Sequence, residues 1–335
     1  MMNEKTTDLL HKLVSDRIVP GVSYTMIHKE EEQSEVFGKR QLEPSLQELL
    51  PDLKYDVASL TKVVGTTTVI LKLVDEGRLA FDDKVIKYLP NFFDGRVTIR
   101  HLLTHTSGIT GYIKNRNELS AQELLKALYT LHVGPTFENE VVYTDIGMIF
   151  LGLIIEKFYK RPVQRVITEV VLKPLNLNNS TFIPLKNECV PTEITKKRGL
   201  IQGVVHDPKA YILQQHCGSA GLFMTIKDLV KFTKWLLSES TSRTFFKTDI
   251  VNELFKDQTP THNLGRTYGW DLRDNQANEV CIYHTGYTGT FILIDKKQQD
   301  ALIVLTNRVH PHTPNDEFLL RRDQIIDEYL SEKEI

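Results

Sequence analysis

Apolar residues near the beginning of the chain follow first a helical period and then a strand period. Four apolar residues between positions 9 and 14 lie at helical spacing, which predicts an amphipathic helix over residues 4–16. The stretch from Gly21 to His28 is rich in β-branched and aromatic residues, which predicts a strand. A polar, acidic turn from Lys29 to Glu35 follows, and a second strand is predicted around Glu35 to Arg40.

The far end of the chain has the same strand character. Apolar or alternating segments separated by turns predict three strands: Val280 to His284, Thr290 to Ile294 and Ala301 to Thr306. Residues 315–331 then predict an amphipathic helix. We expect the strands from both ends of the chain to join in one antiparallel sheet.

The middle of the chain is dominated by helical patterns. The clearest of them cover residues 60–76, 120–131, 145–158, 163–171 and 226–237. The fold class is therefore predicted as α/β of the α+β type. Residues 1–58 and 250–335 are predicted to form a sheet lobe, residues 59–249 a mainly helical lobe, and the cleft between them the active site.

Composition and charge exclude several classes of partner. The chain of 335 residues is 41% hydrophobic and 25% charged, which is ordinary globular usage. Its formal net charge is −2 and it has no long basic run, so neither nucleic acid nor an anionic membrane surface is a predicted partner. Three widely spaced cysteines, Cys189, Cys217 and Cys281, predict buried thiols instead of disulfides or a zinc site.

The first residues, MMNEKTTDLL, do not have the pattern of a secretory signal, because polar residues interrupt the apolar ones. No segment approaches the run of about 20 apolar residues that spans a bilayer. The sequence therefore predicts no membrane span and a cytoplasmic location.

Ser59 and Lys62 form the first pair with chemical meaning. Positions three apart in a helix lie on one face, with Cβ atoms about 5–6 Å apart. Serine needs a base to become a good nucleophile, and a lysine one turn away can serve if its surroundings favour the neutral amine. Ser59 is the only serine in the chain with a lysine three residues later. The alternative interpretation is a helix cap beside a solvated lysine.

Tyr143 and Asp145 form a second short motif, at the start of an apolar predicted helix. A tyrosine hydroxyl can relay a proton between a lysine and a serine, or to a leaving group, when cations stabilise its anion. Asp145 suits either a helix cap or a hydrogen bond to the lysine. The alternative is a core tyrosine next to a capping aspartate.

His284, Thr285, Gly286 and Tyr287 form a third motif at the end of a predicted strand. Gly286 allows the backbone to approach a ligand closely. The backbone N–H groups of Tyr287 and Ser59 are candidates for an oxyanion hole, in which each donor typically contributes about 3 kcal/mol. The alternative is a turn at the end of a strand with a surface histidine.

The three motifs together resemble those of the serine β-lactamase and penicillin-binding-protein-like superfamily. The closest likeness is to the branch of class C β-lactamases, D-alanyl-D-alanine carboxypeptidases and family VIII esterases. Val57 to Lys62 resembles the nucleophile segment of that branch, and Ile99 to Gly108 resembles its characteristic loop. Four further segments are similar to its esterase-like members: Pro191 to Glu193, Val205 to Pro208, Gly218 to Phe223 and Thr306 to Pro311.

The resemblance covers roughly residues 15–330 and implies an α/β lobe with an all-helical lobe. It also implies that Ser59 is acylated, that Lys62 is its base or base partner, and that Tyr143 is a second proton carrier. The residues it places at the substrate are Asp145, His284, Thr285 and Gly286.

Two positions depart from the family pattern. Asp145 stands where an asparagine is usual, so a negative charge lies beside the presumed lysine. This charge should favour protonated Lys62 and shift the role of base toward Tyr143. His284 often corresponds to a lysine and carries no permanent charge at neutral pH, which weakens recognition of a substrate carboxylate. Both changes disfavour β-lactamase activity and leave ester or amide hydrolysis open.

No metal or cofactor is predicted. His101 and His105 lie four residues apart, but they lack the glutamate of H-E-x-x-H and an obvious third ligand. Ser219 does not complete G-x-S-x-G because position 217 is cysteine, and neither a P-loop nor G-x-G-x-x-G is present.

The predicted function is a cofactor-free serine acyl hydrolase that forms an acyl-enzyme with a small-molecule substrate. Candidate substrates are esters, D-amino-acid amides or peptides, and β-lactams. The alternative hypothesis is a non-catalytic protein that binds β-lactams or peptides with a degenerate active site.

Overall fold

A computed structural model describes residues 3–332 and contains one large antiparallel sheet. Its seven strands are β1 (Gly21–His28), β2 (Glu31–Gln41), β3 (Gln47–Glu48), β4 (Asp271–Asp274), β5 (Val280–Thr285), β6 (Phe291–Asp295) and β7 (Asp300–Thr306). The spatial order is β4-β5-β6-β7-β1-β2-β3, so the two ends of the chain meet where β7 pairs with β1. The predicted antiparallel sheet and the predicted fold class are confirmed.

The acidic stretch after β1 was predicted as a turn, and this prediction is wrong for most of its length. Only Lys29 and Glu30 form the turn, with Lys29 in the left-handed region at φ 54°. Strand β2 begins at Glu31, which pairs with His28. Its first residues are mostly exposed, so a polar sequence is compatible with a strand whose outer side meets water.

Helices are the main regular elements of the central region, and they also lie at both ends of the described chain. They are α1 (Glu4–Ser15), α2 (Thr68–Asp75), α3 (Ile99–Leu103), α4 (Ala121–Leu128), α5 (Asp145–Tyr159), α6 (Val163–Ile167), α7 (Pro208–Leu213), α8 (Ile226–Leu237), α9 (Glu239–Phe245) and α10 (Glu317–Ser331). Among the described residues, no helix combines the length and the apolar character needed to cross a bilayer.

Two predicted helices are mixtures of α and π geometry. The segment predicted over 60–76 contains a π-helix at Lys62–Thr67 before α2, and the one predicted over 163–171 continues α6 as a π-helix at Thr168–Leu172. Hydrophobic periodicity does not distinguish these geometries. Gly77 ends the first of these helices with φ 69°, in the left-handed conformation that glycine adopts at low cost.

The remaining regular segments are short. Three pairs of two-residue strands are Tyr55–Asp56 with Phe223–Met224, Ile109–Thr110 with His132–Val133, and Ile194–Thr195 with Gly199–Leu200. The 3₁₀ turns are Val85–Lys87, Arg116–Glu118, Lys186–Glu188, Gln214–His216 and Ile250–Phe255. The first pair places the chain just before Ser59 beside Phe223, at the edge of the central helices.

The sheet is covered on both faces. Buried residues of α1 and α10, including Leu10 and Ile326, pack on one face together with Tyr24 and Val304. The other face joins a larger apolar cluster that continues through the central helices. The proposed division at 58/59 and 249/250 stays a prediction. All three cysteines are buried thiols and form no disulfide.

Candidate active site

Ser59 lies in a tight turn that a buried carboxylate holds. The preceding residue, Ala58, has φ 46°, a left-handed conformation that costs a residue with a Cβ about 1–2 kcal/mol. Asp56, only 2% exposed, accepts a hydrogen bond from the Ala58 N–H at 2.9 Å and another from the His206 N–H at 2.7 Å. These two bonds offset the local strain and fix the direction in which Ser59 leaves the turn.

Lys62 reaches Ser59 from one turn further along the chain. Its Nζ lies 2.6 Å from the Ser59 Oγ and 3.1 Å from the carbonyl oxygen of Ser219. The Lys62 side chain is fully buried and begins the π-helical segment. π-Helical turns are rare in proteins as a whole, and those that do occur often lie at functional sites. The structure therefore brings together the hydroxyl and the amine of the first sequence motif.

Asp145 forms ion pairs with two buried lysines. Its Oδ1 lies 2.7 Å from the Lys62 Nζ, and its Oδ2 lies 2.9 Å from the Lys209 Nζ. Burial opposes ionisation of Asp145, but the two lysines outweigh it and lower the pKa of its carboxyl group. Burial likewise opposes the charge on Lys62, yet the charges of Tyr143 and Asp145 raise the pKa of the ammonium. Lys62 therefore rests in the protonated state.

Tyr143 is half-exposed and lies among cations. The centroid of its ring is 5.2 Å from the Lys62 Nζ and 5.3 Å from the Arg266 Cζ. The ring of His105 lies 4.6 Å away from it. Two positive charges at this distance stabilise negative charge that develops on the phenol oxygen during proton transfer. The geometry thus suits a proton carrier that is open to substrate on one side.

Two buried histidines complete the wall beside Tyr143. Burial, reinforced by the positive charge of Arg266 and Lys62, lowers the pKa of both His105 and His284 well below the usual value. Both imidazoles are therefore neutral at neutral pH. The His284 Nδ1 hydrogen-bonds the Thr285 carbonyl oxygen at 2.9 Å. The idea of a surface histidine in the third motif is wrong, because His284 is 3% exposed.

Gly286 is needed for packing against the protein itself. A Cβ at this position would lie 2.2 Å from the Thr290 Oγ1 and 2.6 Å from the Val57 carbonyl oxygen. The sequence interpretation assigned this freedom to the approach of a ligand, but the close neighbour is the chain just before Ser59. Thr288 fastens the same contact, since its Oγ1 donates to the Asp56 carbonyl oxygen at 2.7 Å.

The backbone N–H groups of Ser59 and Tyr287 donate no hydrogen bond within the described part of the chain. The Tyr287 carbonyl oxygen accepts a bond of 2.7 Å from the Arg308 Nε, which orients this peptide. The Tyr287 ring is half-exposed and stacks on the ring of His206 at 5.5 Å. The two N–H groups are available for an oxyanion, and this role stays a prediction.

Sequence reasoning missed four residues that shape the site: Asp56, His105, Lys209 and Arg266. Lys209 follows a recognisable helix start, Asp207-Pro208, but nothing local connects it with Asp145. His105 was considered as a possible metal ligand with His101, or as a residue that hydrogen-bonds within its own loop, but not as a neighbour of Tyr143. The two separate in the structure, where the His101 Nε2 instead lies 3.0 Å from the Glu138 carboxylate. Within residues 3–332, no cluster of three histidine, cysteine or acidic side chains is arranged to hold a metal ion.

Comparison with known proteins agrees with this arrangement. A putative D-alanyl-D-alanine carboxypeptidase of Escherichia coli K12 is 29% identical, over 78% of this chain and 70% of the relative. A class C β-lactamase in complex with cefoxitin shares the fold, with a TM-score of 0.78, 16% identity and 99% coverage of both chains. The hydrolase EstCE1, described as having promiscuous acyltransferase activity, has a TM-score of 0.77 at 16% identity, covering 97% of this chain and 98% of its own.

The family model named Beta-lactamase matches residues 6–325, nearly the whole chain. That range contains residues 56–59, which form the turn that carries Ser59 (the Ser59 turn), the Tyr143 motif and the end of β5. The resemblance inferred from the sequence motifs is confirmed at the level of the family. This chain belongs to the β-lactamase family of serine hydrolases.

Proposed function

We propose that this protein hydrolyses acyl compounds through an acyl-enzyme on Ser59. The observation that carries the proposal is the 2.6 Å contact between the Lys62 Nζ and the Ser59 Oγ, made by a lysine with no exposure to solvent. A buried ammonium at this distance holds the hydroxyl in one orientation and stabilises charge that develops on its oxygen. The family membership supports the same chemistry.

In the acylation step, the Ser59 Oγ attacks the substrate carbonyl carbon. The hydroxyl proton passes to the anionic form of Tyr143, because Asp145 keeps Lys62 protonated and therefore unable to accept it. The N–H groups of Ser59 and Tyr287 stabilise the oxyanion. Tyr143 then gives the proton to the leaving group as the bond to the carbonyl carbon breaks.

Deacylation repeats the sequence with water. Tyr143, again as the anion, accepts a proton from a water molecule that attacks the ester carbonyl of acylated Ser59. Collapse of the tetrahedral intermediate releases the acid, and the proton on Tyr143 returns to the Ser59 Oγ. The site is then restored with no net gain or loss of protons, apart from ionisation of the acid product.

The charges of the site favour substrates that lack a carboxylate, such as simple esters, over β-lactams and over peptides with a free carboxyl end. His284 is neutral, so the third motif supplies no permanent charge for a carboxylate on the substrate. Both oxygens of Asp145 already accept from lysines, and a carboxylate has no N–H to donate to a substrate amide. The relative named as a carboxypeptidase keeps D-alanyl peptides among the candidate substrates to be tested.

The test is the intact mass of the protein after treatment with a fluorophosphonate or a labelled penicillin. We expect one adduct on Ser59, no adduct in Ser59→Ala, and full labelling in Ser15→Ala, which removes an exposed hydroxyl on α1. A substrate panel of p-nitrophenyl acetate, a D-alanyl-D-alanine peptide and nitrocefin then ranks the three classes. Absence of any adduct and of any Ser59-dependent hydrolysis would contradict the proposal.

A non-catalytic binding protein is the second candidate, and the ion pair between Lys62 and Asp145 favours it. A lysine held as an ammonium cannot act as a base, so turnover depends on Tyr143 alone. This candidate requires ligand binding that is equally tight in Ser59→Ala, together with no hydrolysis of any member of the panel. Hydrolysis of p-nitrophenyl acetate that disappears in Ser59→Ala excludes it.

A further inference from the structure

The carboxylate of Asp145 is divided between two lysines, although one would neutralise it. Lys62 takes Oδ1 at 2.7 Å and Lys209 takes Oδ2 at 2.9 Å. Lys209 is 8% exposed, so its ammonium has left bulk water to make this contact. Burying an ammonium is costly unless it is paired, which means that both lysines depend on the same carboxylate.

Lys209 is held in place from its other side by Asp207. This residue caps α7, since its Oδ1 accepts a hydrogen bond from the Ala210 N–H at 2.8 Å, and its Oδ2 lies 3.0 Å from the Lys209 Nζ. Pro208 begins the helix in the position that proline favours. The Lys209 ammonium therefore lies between two carboxylates, and the contact with Asp207 keeps it beside Asp145.

This arrangement has a consequence for Lys62. With Oδ2 occupied, Asp145 presents only Oδ1 to Lys62, and Lys62 keeps further donors for the Ser59 Oγ and the Ser219 carbonyl oxygen. Without Lys209, both oxygens of Asp145 would be free to turn toward Lys62. The ammonium would then be drawn away from Ser59, and its positive charge would be held more strongly by the carboxylate.

We infer that Lys209 is a positioning residue, which holds Asp145 so that its charge is shared and Lys62 stays on Ser59. The inference rests on the proposed function, because it assigns Lys209 a part in that reaction. Lys209 acts through Asp145 and has no direct role at the reacting atoms.

Other charged or titratable groups face this cluster and must stay unchanged in the test. They are Tyr143, His105 from the loop after α3, Arg266 and His284 from the sheet side, and Asp207 from the start of α7. Both histidines are neutral across the working range, because burial and Arg266 lower their pKa. The ascending part of the pH profile therefore reports the loss of a proton from the cluster around Lys62 as a whole.

The test is the pH profile of kcat/KM for p-nitrophenyl acetate in Lys209→Met. Loss of the positive charge and release of Oδ2 should move the ascending limb to higher pH by about one unit, with an activity about tenfold lower at neutral pH. Lys209→Arg keeps the charge and should restore most of the parental profile. Lys227→Met removes an exposed lysine far from the site and should leave the profile unchanged.

Lys209→Met is then repeated in the Asp145→Asn background, which shows whether Lys209 moves the ascending limb through Asp145. If Lys209 acts by holding Asp145, Lys209→Met should displace the limb much less when the carboxylate is absent. An equal displacement in both backgrounds would mean direct repulsion between the lysines and would overturn the inference. An unchanged profile in Lys209→Met would overturn it too, provided that thermal unfolding shows a folded protein.

A second readout does not need catalysis. Titration of the Asp145 carboxyl carbon by NMR should show protonation at higher pH in Lys209→Met than in the parent, because one of the two lysines that hold its pKa down is gone. If the parent hydrolyses nothing and forms no adduct, the proposed function fails whatever this titration shows. If the parent is active and neither the titration nor the limb moves, the inference alone fails.

Discussion

At the level of single residues, Asp145 sets the resting charge of the candidate active site. Burial works against its ionisation, yet Lys62 and Lys209 lower the pKa of its carboxyl group, so this group stabilises the fold above the usual aspartate pKa and loses that effect only in strong acid. Lys62 has a raised pKa, so its contribution is complete below the usual lysine pKa and disappears as the pH rises above it. The ion pair therefore persists through the whole neutral range.

Replacing Asp145 by asparagine should make the site easier to activate. Asp145→Asn removes the negative charge beside Lys62, so the cluster around Lys62 should lose its proton at lower pH, and the ascending limb of kcat/KM should move down by about one unit. The measurement is the pH profile with p-nitrophenyl acetate. Asp52→Asn, which changes an exposed carboxylate, is the control. A limb that stays in place would show that Asp145 does not tune the proton transfer.

At the level of structural elements, the end of β5 is packed against and hydrogen-bonded to the Ser59 turn. Gly286 touches the Val57 carbonyl oxygen, and the Thr288 and Thr290 hydroxyls donate to the backbone of Asp56 and Val57. A strand from the last quarter of the chain thus positions a turn from the first quarter. The two N–H groups assigned to the oxyanion hole lie on either side of this contact.

Gly286→Ala should therefore cost activity more than stability. The new methyl group clashes with the Thr290 hydroxyl and the Val57 carbonyl oxygen, so the end of β5 must move away from the Ser59 turn. Overpacking of this kind costs about 1–3 kcal/mol of unfolding free energy. A displacement of about 1 Å at the oxyanion hole can lower kcat about 100-fold.

The measurements are kcat with p-nitrophenyl acetate and unfolding in urea. Gly95→Ala is the matched control, because a Cβ at Gly95 meets nothing within 4 Å. We expect that variant to keep both kcat and the urea midpoint. A normal kcat in Gly286→Ala would mean that this contact does not position the site.

Elements with a regular hydrophobic pattern were the most predictable part of the fold. The predicted bounds of β1 and α8 agree with the structure, because each has an uninterrupted period and a clear end. Thr225 caps α8 by accepting a hydrogen bond from the Asp228 N–H, which is a local signal. The π-helical turn at Lys62 has no such signal, since it adds one residue to a turn without changing which side chains are apolar.

The active site was predictable as far as its short motifs reach. Ser59 with Lys62, and Tyr143 with Asp145, are neighbours in sequence, and their chemistry can be read locally. Lys209 comes to Asp145 only through the packing of α7, across 64 residues of chain. Nothing in a single sequence indicates which buried lysine will pair with which distant carboxylate.

At the scale of the whole molecule, the sheet separates the layer of α1 and α10 from the layer that carries the candidate active site. Helices α1 and α10 cover the face of the sheet turned away from the central helices, and Ile326 of α10 is completely buried there. Ser59, Lys62 and Asp145 belong to the layer on the other side. A defect under α10 should therefore weaken the fold without altering the chemistry of molecules that remain folded.

Ile326→Ala tests this separation. Removal of a buried isoleucine side chain should lower the free energy of unfolding by about 2–5 kcal/mol, because it leaves a cavity. The value of kcat per folded molecule should stay the same. Leu320→Ala on the same helix removes a side chain that is 68% exposed and should change the unfolding free energy by less than about 0.5 kcal/mol. A large fall in kcat at full folding would contradict the division into layers.

The pairing of β1 with β7 also determines when this protein can fold. Val22 pairs with Thr306, so all of the chain between these two residues must be synthesised before the middle of the sheet can close. Until then, we expect β1 and β2 to form an isolated hairpin whose apolar face is exposed to solvent. Intermediates of this kind are bound by chaperones. Pairing between residues so far apart in sequence makes folding slow. The candidate active site also needs both ends of the chain, so it is among the last parts to be completed during synthesis.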